Sequence, residues 1–155
     1  MIILLYLDLS NEKGDMKIND IFSMNALQLS QGFGEGSISP SEVTELCLER
    51  AVEQSSPVYI KITEERALSE ARASTKRWKA KSPISCLDGV PIAWKDLIDM
   101  EGEVSRAASI LFKDAEPARE DAPLVSKASA AGMVSIGRLN MTELAYSGVG
   151  YNPHY

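Results

Sequence analysis

One lysine lies in an apolar stretch of the chain and is well suited to proton transfer. Lys95 falls within 87–99, where apolar and β-branched residues predict a buried strand. Burial removes water from an ammonium group and disfavours its charged form. We therefore expect Lys95 to be neutral near physiological pH and to act as a general base.

A simpler interpretation keeps Lys95 on an exposed strand face. Its ammonium group would then pair loosely with Asp96 or Asp99. This alternative follows from the rarity of fully buried, unpaired lysines in folded proteins.

Other reactive side chains give weaker signals. Cys47 and Cys86 lack metal-ligand spacing, and Cys47 falls on an apolar helix face, which predicts a core residue. The single histidine, His154, stands beside a proline and is predicted to be a polar loop residue. A Ser–His–Asp site is not indicated, because no G-x-S-x-G sequence occurs. We predict no metal site.

Two ordered segments resemble the amidase signature family of serine hydrolases. The first is Gly89-Val-Pro-Ile-Ala-Trp-Lys-Asp96. The second is Gly137-Arg-Leu-Asn-Met-Thr-Glu-Leu-Ala-Tyr-Ser147, followed by Asn152-Pro-His-Tyr155. The similarity runs from about Met24 to the last residue.

The resemblance implies a Ser–Ser–Lys triad in which Lys95 accepts a proton from a bridging serine. That serine deprotonates a nucleophilic serine, which attacks an amide carbonyl and forms an acyl-enzyme. Ammonia or an amine leaves, water releases the acid, and no metal or cofactor is needed. Ala145, Tyr146 and Ser147 match family positions near the acyl-binding pocket, although a helix-to-loop transition would explain them equally well.

Both family serines lie in a Gly- and Ser-rich block downstream of 152–155. No serine of this chain has such a setting. We therefore expect the N-terminal part of a longer enzyme, which lacks both serines and the oxyanion loop and is inactive alone.

The predicted fold is α/β: the N-terminal part of the amidase signature fold, with a mixed β-sheet flanked by helices and truncated before the catalytic serine loop. Residues 1–15 are predicted to be an extension of uncertain status, and 16–155 a partial amidase domain. The predicted elements are a helix from Ser23 to Gln31, a helix capped by Ser39 and Glu42, a strand over 57–62, a helix capped by Thr63 and ending near Lys79, a helix between Asp121 and Gly132, a strand over 133–136, and a helix capped by Asn140 and Glu143.

One loop departs from the family pattern. Arg106 and Ala108 stand where threonine and glycine are commoner in the family. Because loss of a glycine removes easy access to positive φ, we expect the local backbone to be affected.

Charge and composition limit the partners. A net charge of −6 disfavours nucleic-acid binding, and the apolar opening segment 1–8 is too short to cross a bilayer and lacks a secretory leader. We expect a cytoplasmic protein that acts on a small-molecule amide, with a homodimer as one possible assembly. Two alternatives stay open: the amidase (A) subunit of a tRNA-dependent amidotransferase, or a catalytically dead remnant or non-enzymatic module.

Overall fold

A three-stranded mixed sheet carries the lysine. The strands are β1 (Tyr59–Ile62), β2 (Pro91–Lys95) and β3 (Val134–Leu139), in the order β1-β3-β2. Strand β1 runs antiparallel to β3, and β2 runs parallel to it. The predicted mixed α/β sheet is therefore confirmed, with β3 at its centre.

The computed structural model describes residues 18–53 and 58–155. The predicted extension over 1–15 and the first residue of the predicted strand over 57–62 lie outside these residues. The described helices are α1 (Ile18–Ser23), α2 (Ala26–Glu35), α3 (Pro40–Glu53), α4 (Glu64–Lys79) and α5 (Pro123–Ala130), with short 3-10 helices at Ile110–Phe112 and Glu143–Ala145. None of these helices is long and apolar enough to cross a bilayer.

The first predicted helix is wrong at both ends. Ser23 is the last residue of α1, and Asn25 caps α2 through a reciprocal capping box with Gln28. Gly32 lies inside α2, which ends at Gly36 with a φ of 73°. The left-handed conformation of Gly36 is the usual way in which a glycine terminates a helix.

The predicted start of α3 is confirmed. The Ser39 amide donates to Glu42 Oε2 over 2.8 Å, and the Glu42 amide donates to Ser39 Oγ over 3.3 Å. These bonds satisfy two amides that the helix itself leaves unpaired. Helix α3 then buries Val43, Thr44 and Leu48.

Two other predicted caps differ from the structure in their side-chain bonds. Thr63 is the N-cap residue of α4, as predicted, whereas Ala122 rather than Asp121 is that of α5. The Thr63 hydroxyl donates to the Ser135 carbonyl over 3.0 Å and makes no capping bond to α4. The Asp121 carboxylate instead accepts two bonds from the Arg66 guanidinium, at 2.9 and 2.7 Å.

Strand β3 is longer than predicted. The sequence predicts a strand that stops at Ile136, but the observed one continues through Gly137 and Arg138 to Leu139. Gly137 is required because a Cβ there would collide with the Lys61 backbone of β1. Arg138 remains in the strand because a buried carboxylate neutralises it.

Three apolar clusters pack against the sheet. The first involves α1, α2 and α3, the second joins α3 and α4 to β1 and β3, and the third lies between β2 and α5. Cys47 packs against the first two, and burial raises the pKa of its thiol to about 11. This agrees with the predicted core role. In α5, Val125 is fully buried as predicted, whereas Leu124 is exposed.

Candidate active site

Lys95 is the last residue of β2, where the carboxyl ends of two parallel strands meet. Its register partner on β3 is Leu139. Ligand sites of α/β sheets commonly lie at such an edge. The preceding residue, Trp94, is buried and donates from Nε1 to Ser135 Oγ over 3.1 Å. Because side chains alternate along a strand, Lys95 projects from the other face of the sheet.

The amine of Lys95 contacts the backbone just after β3. Its Nζ donates to the Asn140 carbonyl oxygen over 2.9 Å, and its side chain is half-buried. The predicted alternative, a loose pair with Asp96 or Asp99, does not form: Asp96 pairs with Arg138, and neither carboxylate forms an ion pair with Lys95.

Asp96 and Arg138 form a fully buried ion pair beside the lysine. Arg138 Nε donates to Asp96 Oδ1 over 2.8 Å, and neither side chain is exposed to solvent. The guanidinium also donates to the Ile98 carbonyl at 2.8 Å and to Ser105 Oγ at 3.1 Å. The pair therefore fixes the turn after Lys95 against the loop that contains Ser105.

The loop over 105–109 adopts the conformation that its sequence disfavours. Ala107 and Ala108 have φ values of 47° and 52°. This is the region in which glycine is preferred. The expected loss of positive φ at position 108 is therefore wrong, because Ala108 adopts it despite its side chain. The Asp96 backbone oxygen accepts from the Ala107 amide over 3.0 Å, and the Ala107 oxygen accepts from the Leu144 amide over 2.9 Å.

A serine, a glutamate and a histidine form a second polar cluster. Ser109 Oγ donates to Glu143 Oε1 over 2.6 Å, and Glu143 Oε2 lies 3.4 Å from His154 Nε2. The carboxylate stands between the hydroxyl and the imidazole, so the histidine does not contact the serine as a base would. This arrangement agrees with a loop role for His154.

The predicted capping box of Asn140 and Glu143 is wrong. Thr142 precedes the 3-10 helix, and the Asn140 Oδ1 atom accepts from the Met141 amide over 2.8 Å. The carboxylate of Glu143 bonds to Ser109 instead. Both residues nevertheless have structural contacts, as the local sequence indicates.

The three predicted substrate-binding residues lie on an exposed segment. Ala145, Tyr146 and Ser147 are all exposed, and Tyr146 retains 93% of its accessible surface. Ala145 has a φ of 57°. The segment adjoins the loop of Ala107 through the Leu144 amide, which brings it to the same edge of the sheet as Lys95.

Asn152 makes two side-chain contacts that the sequence did not predict. Its Nδ2 donates to the Ala108 carbonyl over 2.7 Å and to the Met141 carbonyl over 2.9 Å. The side chain is buried, although the preceding residues 146–151 are exposed. The adjacent Pro153 and the loop composition supply the only sequence signal, that of a turn.

Other possible sites are less suitable. An open depression bordered by Lys61, Thr63, Arg66 and Glu103 contains neither Lys95 nor the loops around it. In the part of the chain that the structure describes, no group of three or more His, Cys, Asp and Glu side chains could hold a metal ion.

The chain belongs to the Amidase (amidase signature) family, whose family model matches residues 42–155. Lys95, the buried ion pair and Asn152 all fall within the match. The resemblance of the two segments to this family is thereby confirmed.

Two curated relatives illustrate the similarity. The chain is 36% identical over 119 residues to the A subunit of the mitochondrial glutamyl-tRNA(Gln) amidotransferase of Drosophila pseudoobscura pseudoobscura, covering 76% of this chain and 23% of that protein. It is also 36% identical over 134 residues to AtzE of Pseudomonas sp. (strain ADP), a 1-carboxybiuret hydrolase component, covering 85% of this chain and 29% of that protein. The chain thus spans less than a third of these relatives.

A solved structure shares the fold over most of the chain. It is an inhibitor-bound complex from work on the origins of an s-triazine catabolic enzyme, with a TM-score of 0.76 and 34% identity. The similarity covers 84% of this chain and 30% of that one. The fold is therefore part of the amidase signature fold.

Proposed function

We propose that Lys95 is the proton acceptor of an amidase that hydrolyses a carboxylic amide to an acid and ammonia or an amine. The observation that carries this proposal is its position: a half-buried amine at the carboxyl end of β2, 2.9 Å from the Asn140 carbonyl. This bond holds the amine at the edge of the sheet where the loops after β2 and β3 meet.

The proposed mechanism is a Ser–Ser–Lys relay. Neutral Lys95 accepts a proton from a bridging serine, which deprotonates the nucleophile as its oxygen attacks the amide carbonyl. Lys95 returns the proton through the bridging serine to the amide nitrogen, so that the C–N bond breaks and ammonia or an amine leaves the acyl-enzyme. Water then attacks the acyl-enzyme carbonyl and releases the acid. Backbone amides of a glycine-rich loop stabilise the oxyanion.

We attribute both serines to polypeptide outside these 155 residues. Three serines near the site already have structural partners: Ser105 bonds to Arg138, Ser109 to Glu143, and Ser135 to Trp94. The chain alone is then inactive, and it contributes one member of the triad.

The proposed substrate is a small-molecule amide, and the proposed location is the cytoplasm. The proposed reaction uses no cofactor or metal, and the protein binds no nucleic acid. Ala145, Tyr146 and Ser147 would form part of the acyl-binding wall, since they lie on the segment that adjoins the loops beside Lys95. A homodimeric assembly is compatible with this proposed function.

The decisive experiment measures ammonia release from a panel of small primary amides by the full product of the reading frame. We expect Lys95→Ala to reduce turnover by about a hundredfold or more and to leave substrate binding intact. Lys113→Ala is the matched control, because 64% of the Lys113 side chain is exposed. Unchanged turnover in Lys95→Ala would remove this lysine from the mechanism.

A second candidate is the amidase component of a tRNA-dependent amidotransferase. It is favoured by the identity of 35–36% to the A subunits of several glutamyl-tRNA(Gln) amidotransferases. Affinity purification that recovers stoichiometric partner subunits, with ammonia used only in the complex, would support it. Absence of turnover both alone and in any complex would instead favour a non-enzymatic module.

A further inference from the structure

We infer that Asn152 is a positioning residue that fixes the segment 146–155 against both loops beside Lys95. This inference rests on the proposed role of Lys95. The residue does not touch the amine itself. It acts through the backbone groups that surround the lysine.

Asn152 uses its whole carboxamide. Its Nδ2 donates to the Ala108 and Met141 carbonyls, and its Oδ1 accepts from the His154 amide over 2.8 Å. Only 8% of the residue is exposed. Two bonds from one buried side chain therefore attach a mostly exposed segment to two loops, and the third bond lies within the segment itself.

The first loop, over 105–109, is hydrogen-bonded to the residue that follows the lysine strand. The Ala108 amide donates to Asp96 Oδ2 over 3.0 Å, and the Ala108 carbonyl accepts from Asn152 over 2.7 Å. Asp96 directly follows Lys95. The Asn152 carboxamide is thus connected through Ala108 to the buried carboxylate of the residue that follows Lys95.

The second loop supplies the partner of the lysine. Met141, whose carbonyl accepts from Asn152 over 2.9 Å, directly follows Asn140. The Asn140 carbonyl accepts from Lys95 Nζ. Fixing Met141 therefore limits the directions in which the Asn140 carbonyl, and with it the amine, can point.

The chemistry of the side chain explains why an amide is required. The two carbonyls need two N–H donors, and the His154 amide needs an acceptor at the same place. A carboxylate supplies acceptors only. Asn152→Asp keeps the shape but turns an oxygen toward the Ala108 and Met141 carbonyl oxygens, which leaves two buried acceptors without this donor.

The test measures the reactivity of the lysine in the full chain, without any need for turnover. Reductive methylation followed by peptide mass spectrometry gives the labelling rate of Lys95 relative to exposed Lys113. We expect Asn152→Ala and Asn152→Asp each to change this ratio by about tenfold, as loss of two hydrogen bonds allows. Tyr151→Ala is the control, because Tyr151 is 75% exposed, and it should leave the ratio unchanged.

A merely structural role would lower stability and leave the lysine ratio unchanged. An unchanged ratio in folded Asn152→Asp would overturn the inference. If the variants do not fold, NMR of the unmodified chain decides: slow exchange of the Asn152 side-chain amide protons supports the inference, and rapid exchange overturns it. Failure of Lys95→Ala to reduce turnover would refute the proposed catalysis while leaving these labelling results unaffected.

Discussion

Asp96 and Arg138 are 42 residues apart in the sequence and form a 2.8 Å ion pair from which solvent is fully excluded. Removing two charges from water is costly, so the pair persists because further bonds satisfy both groups. These bonds reach Ile98, Ser105 and Ala108. The pair therefore organises the turn after Lys95.

Arg138→Met tests that organisation. The change leaves the Asp96 carboxylate buried and unpaired, so we expect the free energy of unfolding to fall by about 3–5 kcal/mol in urea denaturation. Asp96→Leu combined with Arg138→Met removes both charges and should restore part of the loss. Additive losses in the double variant would contradict the importance of the pairing.

The pair of Arg66 with Asp121 predicts a pH dependence of stability. Hydrogen bonds from Arg66 hold the pKa of the Asp121 carboxyl below its usual value, despite partial burial, and the Glu101 amide adds to the effect. Because the folded pKa is the lower one, the stabilisation is complete above about pH 4 and is lost as the pH falls through the folded pKa.

Asp121→Asn should therefore cost about 1–2 kcal/mol at neutral pH, and this cost should shrink as the pH falls below about 4. Urea denaturation over this pH range measures the difference. Asp114→Asn is the control, since the Asp114 side chain is 87% exposed, and it should change stability little at any pH. A constant difference between Asp121→Asn and the unaltered chain would contradict the linkage.

Gly132 is predicted to be irreplaceable for two reasons. Its φ is +87°, and a Cβ there would lie 2.5 Å from Asp88 Oδ1. Gly102 has a similar φ of +79° but open space around it. We expect Gly102→Ala to cost about 1 kcal/mol and Gly132→Ala about 1–3 kcal/mol more, measured by chemical denaturation. Equal losses would mean that Asp88 moves aside freely.

Two exposed lysines at the end of α4 should respond to glycine in opposite directions. Lys81 has a φ of 54°, so Lys81→Gly relieves strain and should raise stability by about 1 kcal/mol. Lys76 lies in the last helical turn, where Lys76→Gly should cost about 1 kcal/mol. Each change removes one charge from the same helix end, so melting temperatures isolate the backbone effect. A shift of the same sign in both variants would contradict it.

Local signals in the sequence predict local structure well. The capping box of Ser39 and Glu42 is correct because both partners lie within one helical turn. The mixed sheet follows from the family resemblance, and Lys95 is correctly assigned to a strand. The expectation for Ala108 is wrong, because residue type alone predicts a negative φ where the structure has +52°.

Long-range contacts explain what the sequence does not predict. Asp121 is of a residue type that is favoured as a helix cap, but Arg66, 55 residues earlier, binds its carboxylate. The partners of Asn152 are 44 and 11 residues away, and no periodicity indicates them. Arg138 does carry a usable signal, because it lies two residues after an apolar run and an arginine that the strand buries needs an anionic partner.

The two tryptophans of this chain lie in separate environments. Trp78 packs against Phe33, with ring centroids 6.0 Å apart, whereas Trp94 is buried beside Lys95 in the cluster between β2 and α5. Their intrinsic fluorescence therefore reports on different regions. With Trp78 replaced by phenylalanine, emission would arise from the lysine strand alone and would follow its local opening without an added dye.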